Sequence, residues 1–309
     1  MRVIIIGGTG LIGRALAEDL ATDGHEVIIL SRSSGPMKGF PPGIRLARWD
    51  GHTAEGWGPL ADGVDAIVNL AGENLSGGRW TPQRKRAILA SRVSPGAAVV
   101  DAVLQARKKP RVLIQSSAVG YYGPTGEEWL TEDAPSGDGF LAGVCREWEA
   151  STQAVETMGV RRVVARTGVV LSPNSGALPR MLLPFKFFAG GPLGSGRQWM
   201  SWIHLDDEVR ALRFLMETPG AKGAFNLSAT PLTNRQFAQV VGKVMRRPAF
   251  FAVPAAIIRL VFGEMGTVVL DGQRVSARSL TDLGFKFRFP DAETALADLL
   301  RRPAAEKGG

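Results

Sequence analysis

The sequence predicts an α/β protein with a Rossmann-like, doubly wound parallel sheet and a smaller C-terminal α+β lobe. Short apolar runs alternate with amphipathic stretches through the first half of the chain, which is typical of βαβ units. A glycine-rich stretch follows the first apolar run, and glycine there permits a tight strand-to-helix turn. The chain of 309 residues also exceeds one ordinary domain, which leaves room for a second unit.

The first half of the chain supplies the predicted sheet. Apolar runs predict strands at residues 2–6, 26–30, 45–49, 66–70, 111–116 and 162–166. Apolar residues spaced three and four apart predict helices over 11–23, 81–107 and 142–158. Pro95 lies inside the second of these helices and could break it.

After residue 171 the pattern changes and the elements become shorter. We predict helices over 177–189, interrupted at Pro184, over 205–216, opened by Asp206 or Asp207, and over 233–245, capped by Thr233. We predict strands at 224–227 and at 285–289, the second from its alternating phenylalanines.

These elements suggest two lobes. The first would comprise residues 1–170 together with a returning segment at about 203–228. The second, residues 171–202 and 229–301, would form a smaller lobe over a substrate. We expect residues 302–309 to be a disordered tail.

The composition excludes several classes of protein. Cys145 is the only cysteine and there are three histidines, so we expect neither an intramolecular disulfide nor a metal site. We find no apolar run of the roughly 20 residues that span a bilayer and no signal peptide, so we expect a cytoplasmic protein without a membrane partner. The net charge of +8 is typical of nucleic-acid binders, but the basic residues are dispersed and no binding motif accompanies them. We therefore expect a basic surface rather than a nucleic-acid partner.

The clearest motif is the run GGTGLIG at residues 7–13, which lies between the first predicted strand and the first predicted helix. Its spacing, G-x-x-G-x-x-G, suits a dinucleotide site, because glycine allows a tight turn, close approach of a pyrophosphate and close helix–strand packing. The N-terminus of the helix adds N–H donors and a positive dipole end. The predicted phosphate-binding residues are Gly7, Thr9, Gly10, Leu11, Ile12 and Gly13.

The end of the second strand predicts which dinucleotide binds. An NAD site usually carries an Asp or Glu there for the ribose hydroxyls, but this chain has Ser31 and Arg32. A guanidinium pairs with a 2′-phosphate and stacks on adenine. We therefore predict NADP(H) as the cofactor, bound in part by Ser31 and Arg32.

The ends of the next two predicted strands would complete this site. Small residues at the end of the fourth strand would let the adenosine half lie over the sheet edge, and Ser116 would lie beside the nicotinamide half. The predicted contacts at the fourth strand are Leu70, Ala71, Gly72 and Glu73.

The chain resembles the extended short-chain dehydrogenase/reductase superfamily. The resemblance rests on the glycine motif, on NLAG at 69–72 and on SSAVGYYG at 116–123. The stretches GRWT at 78–81, GSGRQWMSWIHLDD at 194–207 and GQRV at 272–275 resemble one uncharacterised epimerase-like branch with a C-terminal domain of unknown function. Some members of that branch are described as cell-division inhibitors. The resemblance implies the fold and the cofactor, and it places Arg166 and Gly168 beside the cofactor.

The chain departs from the superfamily at the catalytic residues. Ser117 matches the serine at the end of the fifth strand, but Leu141 and Cys145 stand where the resemblance expects the Tyr and Lys of the Tyr-x-x-x-Lys pair. The two tyrosines of the chain, Tyr121 and Tyr122, follow Ser117 closely and are candidate proton donors. Glu73 and His204 are further candidates. Alternatively, water or the substrate delivers the proton, or the protein is not catalytic.

A substrate site is predicted where tryptophans and a basic residue cluster after a glycine-rich loop. Aromatic walls with an arginine suit a planar or anionic ligand, although tryptophans also simply pack a lobe onto a sheet. The candidate residues are Arg197, Trp199, Trp202 and His204.

We therefore predict an NADP(H)-binding oxidoreductase or epimerase-like enzyme that acts on an unknown small molecule and could form a homodimer. The alternative is a non-catalytic, NADP(H)-responsive regulator, for example of cell division. An enzyme requires a cavity with an ionisable group beside the nicotinamide, whereas a regulator requires an exposed apolar patch for its partner.

Overall fold

The computed structural model describes residues 1–32 and 39–301, so the predicted tail at 302–309 lies outside the described residues. The strands are β1 (Arg2–Ile6), β2 (Glu26–Ser31), β3 (Ile44–Arg48), β4 (Ala66–Asn69), β5 (Val112–Ala118), β6 (Trp129–Leu130), β7 (Arg161–Thr167), β8 (Val169–Leu171), β9 (Trp199–Met200), β10 (Trp202–His204), β11 (Gly223–Leu227), β12 (Leu232–Thr233) and β13 (Arg274–Val275). The helices are α1 (Leu11–Thr22), α2 (Pro82–Gln105), α3 (Phe140–Ala150), α4 (Leu178–Lys186), α5 (Leu205–Glu217), α6 (Asn234–Met245), α7 (Ala255–Phe262), α8 (Thr267–Leu270), α9 (Arg278–Asp282) and α10 (Ala292–Arg301).

Seven strands form one parallel sheet, which confirms the predicted fold class. Their order across the sheet is β3-β2-β1-β4-β5-β7-β11. Alternate residues of β1 enter different core layers, since Val3 and Ile5 pack on the α1 and α5 side while Ile4 and Ile6 pack on the α2 side. The chain runs outward from β1 to β3 and returns at β4, so the carboxyl ends of β1 and β4 flank a switch point where such sheets bind ligands.

A second apolar cluster lies where α4, α6 and α10 pack together in the smaller lobe. The N-cap predicted at Thr233 is present at the start of α6, where Gln236 completes a capping box. The exact division of the chain into lobes stays a prediction.

Three local predictions were wrong or imprecise. Helix α2 runs through Pro95 without a break. The helix predicted over 142–158 ends at Ala150 and is followed by a 3₁₀ turn. The stretch 285–289 forms no strand; Phe285 and Phe289 are buried in different clusters, so the alternation serves packing without sheet pairing.

Helix α2 alone among the described helices is long and apolar enough to cross a membrane, judged by length and composition. Ile88, Val99 and Val103 on this helix are buried in the core of the fold. Core helices share this length and composition, and α2 packs as one of them.

Candidate functional site

Some glycines of the turn after β1 are required by the packing of the fold, and another is explained by a ligand. Gly7 has a φ of +78°, and a Cβ there would lie 2.7 Å from the Leu70 carbonyl oxygen. A Cβ at Gly13 would lie 2.4 Å from the Gly7 carbonyl oxygen. Both glycines are therefore needed for packing.

Gly10 is different, because its backbone suits any residue. Its φ of −78° and ψ of 175° are ordinary extended values, and a Cβ would meet the Gly7 carbonyl oxygen at 3.3 Å. The packing of the fold therefore excludes a side chain less strictly at Gly10 than at Gly7 or Gly13. Close approach of a ligand backbone or phosphate explains a glycine at such a position.

The N-terminus of α1 presents N–H groups without local competition. Gly10 is the N-cap, no side chain caps the helix, and the first turn holds no acidic residue. Thr9 is exposed, and Leu11 and Ile12 are half-buried beside it. An anion is the expected partner for such a helix end when it follows a glycine turn.

The end of β2 keeps the predicted basic group accessible. Ser31 is buried at the last position of the strand, whereas Arg32 is exposed. The aliphatic stem of Arg32 lies against Gly51, whose added Cβ would come 3.2 Å from the Arg32 Cδ. The guanidinium can therefore extend along this edge of the sheet.

The end of β4 holds the predicted small residues. Leu70 is half-buried and Ala71 is buried at this corner. Glu73 pairs through its carboxylate with Arg84, which makes it a poor candidate for proton transfer.

A buried cation that the sequence analysis missed lies beneath Gly72. Arg92 donates to the Glu73 and Ile88 carbonyl oxygens at 3.1 and 3.0 Å, and its guanidinium lies 5.0 Å from the Trp148 ring. Burial lowers its pKa, and its charge also acts on the Cys145 thiol nearby. The sequence feature that could have revealed it is an arginine on the apolar face of a predicted helix, because burying a charge without a partner costs free energy.

Cys145 is an inert thiol in this structure. Burial raises the pKa of Cys145 to about 11, and its Sγ lies 3.7 Å from the Ala118 carbonyl oxygen. A thiol in this state is not a nucleophile at neutral pH.

Ser117 belongs to a buried hydrogen-bond network. Its Oγ donates to Glu149 Oε1 at 2.6 Å, and Arg166 binds both carboxylate oxygens of Glu149 at 2.9 and 3.0 Å. Burial alone would lower the pKa of Arg166, but the hydrogen bonds with Glu149 raise it above its ordinary value. The Arg166 head group is thus bound inside the protein, and its expected contact with the cofactor stays a prediction.

The two tyrosines differ in how they are engaged. Arg166 donates to the Tyr122 hydroxyl at 3.1 Å, which in turn donates to Asn226 Oδ1 at 2.8 Å, and burial raises the pKa of Tyr122. Tyr121 is half-buried, and the Arg166 guanidinium lies 3.5 Å from the centre of its ring. Tyr122 is therefore a structural member of the network, whereas Tyr121 is the less constrained of the two.

Two predicted cofactor contacts have clear packing roles. Ser116 is buried at the end of β5. A Cβ on Gly168 would lie 2.8 Å from the Ser201 carbonyl oxygen, so this glycine lets β7 approach the smaller lobe.

The four predicted substrate residues are not brought together. Arg197 is exposed, whereas Trp202 is fully buried and donates to the Thr230 carbonyl oxygen. Trp199 is half-buried and stacks under Arg274, whose guanidinium lies 4.0 Å from the ring centroid.

His204 has a structural role, which corrects two predictions. Its Nδ1 accepts from the Asp206 N–H at 3.0 Å, so His204 caps α5 in place of Asp206 or Asp207. The ring is fully buried, stacks on Phe289 at 3.9 Å, and places Nε2 3.3 Å from Asp298 Oδ2. A side chain held on all sides in this way is not a ligand contact.

A cavity of about 60 Å³ lies between the sheet edge and the smaller lobe. Val119 and Val169 line it from the sheet side, and Met181 and Asn234 line it from the lobe. Asp271 is the ionisable side chain among its lining residues, and burial raises the pKa of this carboxyl. The sequence analysis missed Asp271 because it stands in no recognisable motif.

Comparisons with known proteins agree with this architecture. Residues 3–228 match the NAD dependent epimerase/dehydratase family, and residues 253–299 match a domain of unknown function, DUF1731. An epimerase family protein of Staphylococcus haemolyticus, SH2119, is 41% identical over 96% of this chain and 98% of its own length. A chloroplastic SDR39U1 homolog of Arabidopsis thaliana is 39% identical over 97% of this chain and 87% of its own length.

The crystal structure of human epimerase family protein SDR39U1 (isoform 2) with NADPH is similar throughout. It has a TM-score of 0.87 and 35% identity, and it covers 97% of this chain and 99% of the human chain. These similarities confirm the resemblance found in the sequence motifs. The chain therefore belongs to the NAD dependent epimerase/dehydratase family.

Proposed function

We propose that the protein is an NADP(H)-dependent oxidoreductase or epimerase-like enzyme that acts on a small molecule. The observation that carries the proposal is the turn at Gly10, where a missing side chain and an uncapped helix end leave a cradle for phosphate. The predicted cofactor agrees with the family, which is NAD dependent, and with the human relative, which was solved with NADPH.

The residues that would hold the cofactor fit it chemically. The turn from Gly7 to Gly13 and the N–H groups of α1 would bind the pyrophosphate, and Arg32 would pair with the 2′-phosphate. The small corner at Ala71 and Gly72 would accommodate the adenosine half. When bound, NADP(H) supplies or accepts a hydride.

Arg92 would take the place of the lysine of the Tyr-x-x-x-Lys pair, which this chain lacks. Cys145 stands at the lysine position, and Arg92 reaches the same buried region from α2, close enough for its charge to act on the Cys145 thiol. Its hydrogen bonds go to neutral partners, the carbonyl oxygens of Ile88 and Glu73 and the Ser91 hydroxyl. A buried guanidinium of this kind can donate hydrogen bonds to the ribose hydroxyl oxygens of a cofactor, and its charge stabilises a nearby anion.

The proton would pass through Asp271 or Tyr121. Asp271 lines the cavity, and burial raises the pKa of its carboxyl, which favours the protonated form that a proton donor needs. Tyr121 follows the end of β5 and is the predicted tyrosine that stays half-exposed. Ser117 already donates to Glu149, so its oxygen would accept a hydrogen bond from substrate rather than supply a proton.

The family to which the chain belongs supports the enzyme over the non-catalytic regulator. We also propose that the protein acts in the cytoplasm, as expected for a chain with one buried thiol.

Two variants test the cofactor site by calorimetric titration with NADPH and NADH. Gly10→Asp should keep or slightly raise Tm, because Asp is a good N-cap, yet should weaken NADPH binding by at least a hundredfold through repulsion of the phosphates. Arg32→Glu should remove the preference for NADPH over NADH.

Each variant controls for the other. Arg32→Glu should leave NADH binding nearly unchanged, which shows that the cradle is intact. If Gly10→Asp binds NADPH as tightly as the natural protein, the glycine turn is not the phosphate site and the proposal fails.

A further inference from the structure

Part of the smaller lobe exposes large apolar side chains to solvent. The exposed residues lie at the end of α4, in the segment before α7, and on α7 itself. They include Phe187, Phe188, Phe250, Phe251, Ile257 and Leu260, and we call this region the aromatic surface. Phe187, Phe250 and Leu260 are each more than seven-tenths exposed, which is unusual for side chains of this size.

Backbone contacts join these segments into one region. The Phe251 N–H donates to the Gly190 carbonyl oxygen at 3.1 Å, which brings the two phenylalanine pairs to neighbouring positions. The Arg247 guanidinium lies 4.2 Å from the centre of the Phe188 ring. Helix α7 then begins at Ala255, shortly after Phe251.

Helix α7 turns its apolar side chains outward. Ile258 is the one buried residue among its eight, although the helix is apolar apart from Arg259. Arg79 donates to the Leu260 carbonyl oxygen at 2.6 Å, which secures the C-terminal end of the helix from the larger lobe. The contacts that hold α7 therefore leave most of its apolar side chains exposed.

The two chain segments that carry the aromatic surface are basic. Residues 177–203 and 234–263 contain eight Lys and Arg residues and no Asp or Glu. Since the whole chain has 37 basic and 29 acidic residues, these two segments account for the entire net charge of +8. Lys186, Arg246, Arg247 and Arg259 belong to them and are exposed beside the phenylalanines.

We propose that the aromatic surface binds the headgroup region of an anionic lipid bilayer from one side. Phenylalanine and leucine side chains would enter the boundary between headgroups and acyl chains, while the surrounding Lys and Arg residues attract anionic headgroups. Both components are needed, because a short apolar helix alone binds a bilayer weakly.

Charge complementarity favours a lipid surface over a second copy of the chain. In a two-fold dimer the same patch faces itself, so the basic residues of one copy would meet those of the other without any acidic residue from these segments. This proposal departs from the sequence-based expectation of no membrane partner, which rested on the lack of a spanning segment and of a signal peptide; peripheral binding requires neither.

The experiment is flotation of the full-length protein with phosphatidylcholine vesicles that contain either no anionic lipid or ~30% phosphatidylglycerol, which is enough for a strong negative surface potential. The natural protein should float with the anionic vesicles at low salt and be released at high salt. Phe250→Ser combined with Phe251→Ser should reduce binding at least tenfold, as should Arg246→Gln combined with Arg247→Gln. Leu104→Ser, an exposed apolar residue on α2, is the matched control and should bind normally.

The outcomes separate this proposal from the proposed function. Every variant should keep its Tm and its NADPH affinity, since none lies at the glycine turn. The proposal is overturned if the natural protein does not bind anionic vesicles, or if neutral vesicles bind it equally well. It is also overturned if the protein is a dimer by light scattering that the phenylalanine variants dissociate, because the surface is then a subunit interface.

Discussion

Glu208 should make the stability of the protein fall as pH rises. This residue of α5 is about 1% exposed, and Thr167 donates to its Oε1 at 2.9 Å. Its Oε2 has no hydrogen-bond partner among the described residues. Burial raises the pKa of Glu208 from 4.5 to about 8, so the folded protein holds a proton that the unfolded chain releases.

The sign and size of the effect follow from this difference. Between pH 4.5 and 8 the folded state binds more protons than the unfolded state, so the free energy of unfolding falls as pH rises through this window. Each pH unit contributes about 1.4 kcal/mol, which is roughly 2.5 to 3 kcal/mol between about pH 5.5 and about pH 7.5. The contribution is fully present below the unfolded pKa and is lost at the folded pKa.

Urea denaturation at several pH values measures this contribution. Glu208→Gln removes the titrating group with little change in shape, so its free energy of unfolding should depend less steeply on pH by the stated amount. Glu217→Gln, an exposed carboxylate on the same helix paired with Arg213, is the control and should parallel the natural protein. Parallel profiles for Glu208→Gln and the natural protein between about pH 5.5 and about pH 7.5 would refute the reasoning.

Two further predictions concern the catalytic region. Arg92→Gln should weaken NADPH binding by about tenfold (about 1.4 kcal/mol), whereas Cys145→Lys alone should lower Tm because it places two cations together. The double variant should recover both the NADPH affinity and the Tm. Failure of the double variant to recover the affinity argues against a shared role of the two positions. In a screen of carbonyl compounds for loss of NADPH absorbance, Asp271→Asn should slow turnover by about a hundredfold or more, whereas Tyr121→Phe should slow it less than about tenfold. The reverse order would assign the proton to Tyr121.

The sequence by itself determined the sheet and the cofactor turn. The central strands of the sheet, such as β1 and β2, are continuous apolar runs because both faces of a parallel sheet are buried, so local composition reveals them. The turn at Gly7 to Gly13 is a local motif that its glycine spacing reveals, although the contact that excludes a side chain at Gly7 comes from Leu70 at the end of β4.

Only the tertiary structure decided which polar groups are available for chemistry. The guanidinium of Arg166 on β7 binds Glu149, which stands on a different element. His204 was expected at the substrate, but Asp298 and Phe289, more than 80 residues later in the chain, enclose it. Asp271 borders the cavity because the segment after α7 folds back against the sheet edge. Contacts between distant segments depend on how the lobes pack, and no local pattern of residues encodes them.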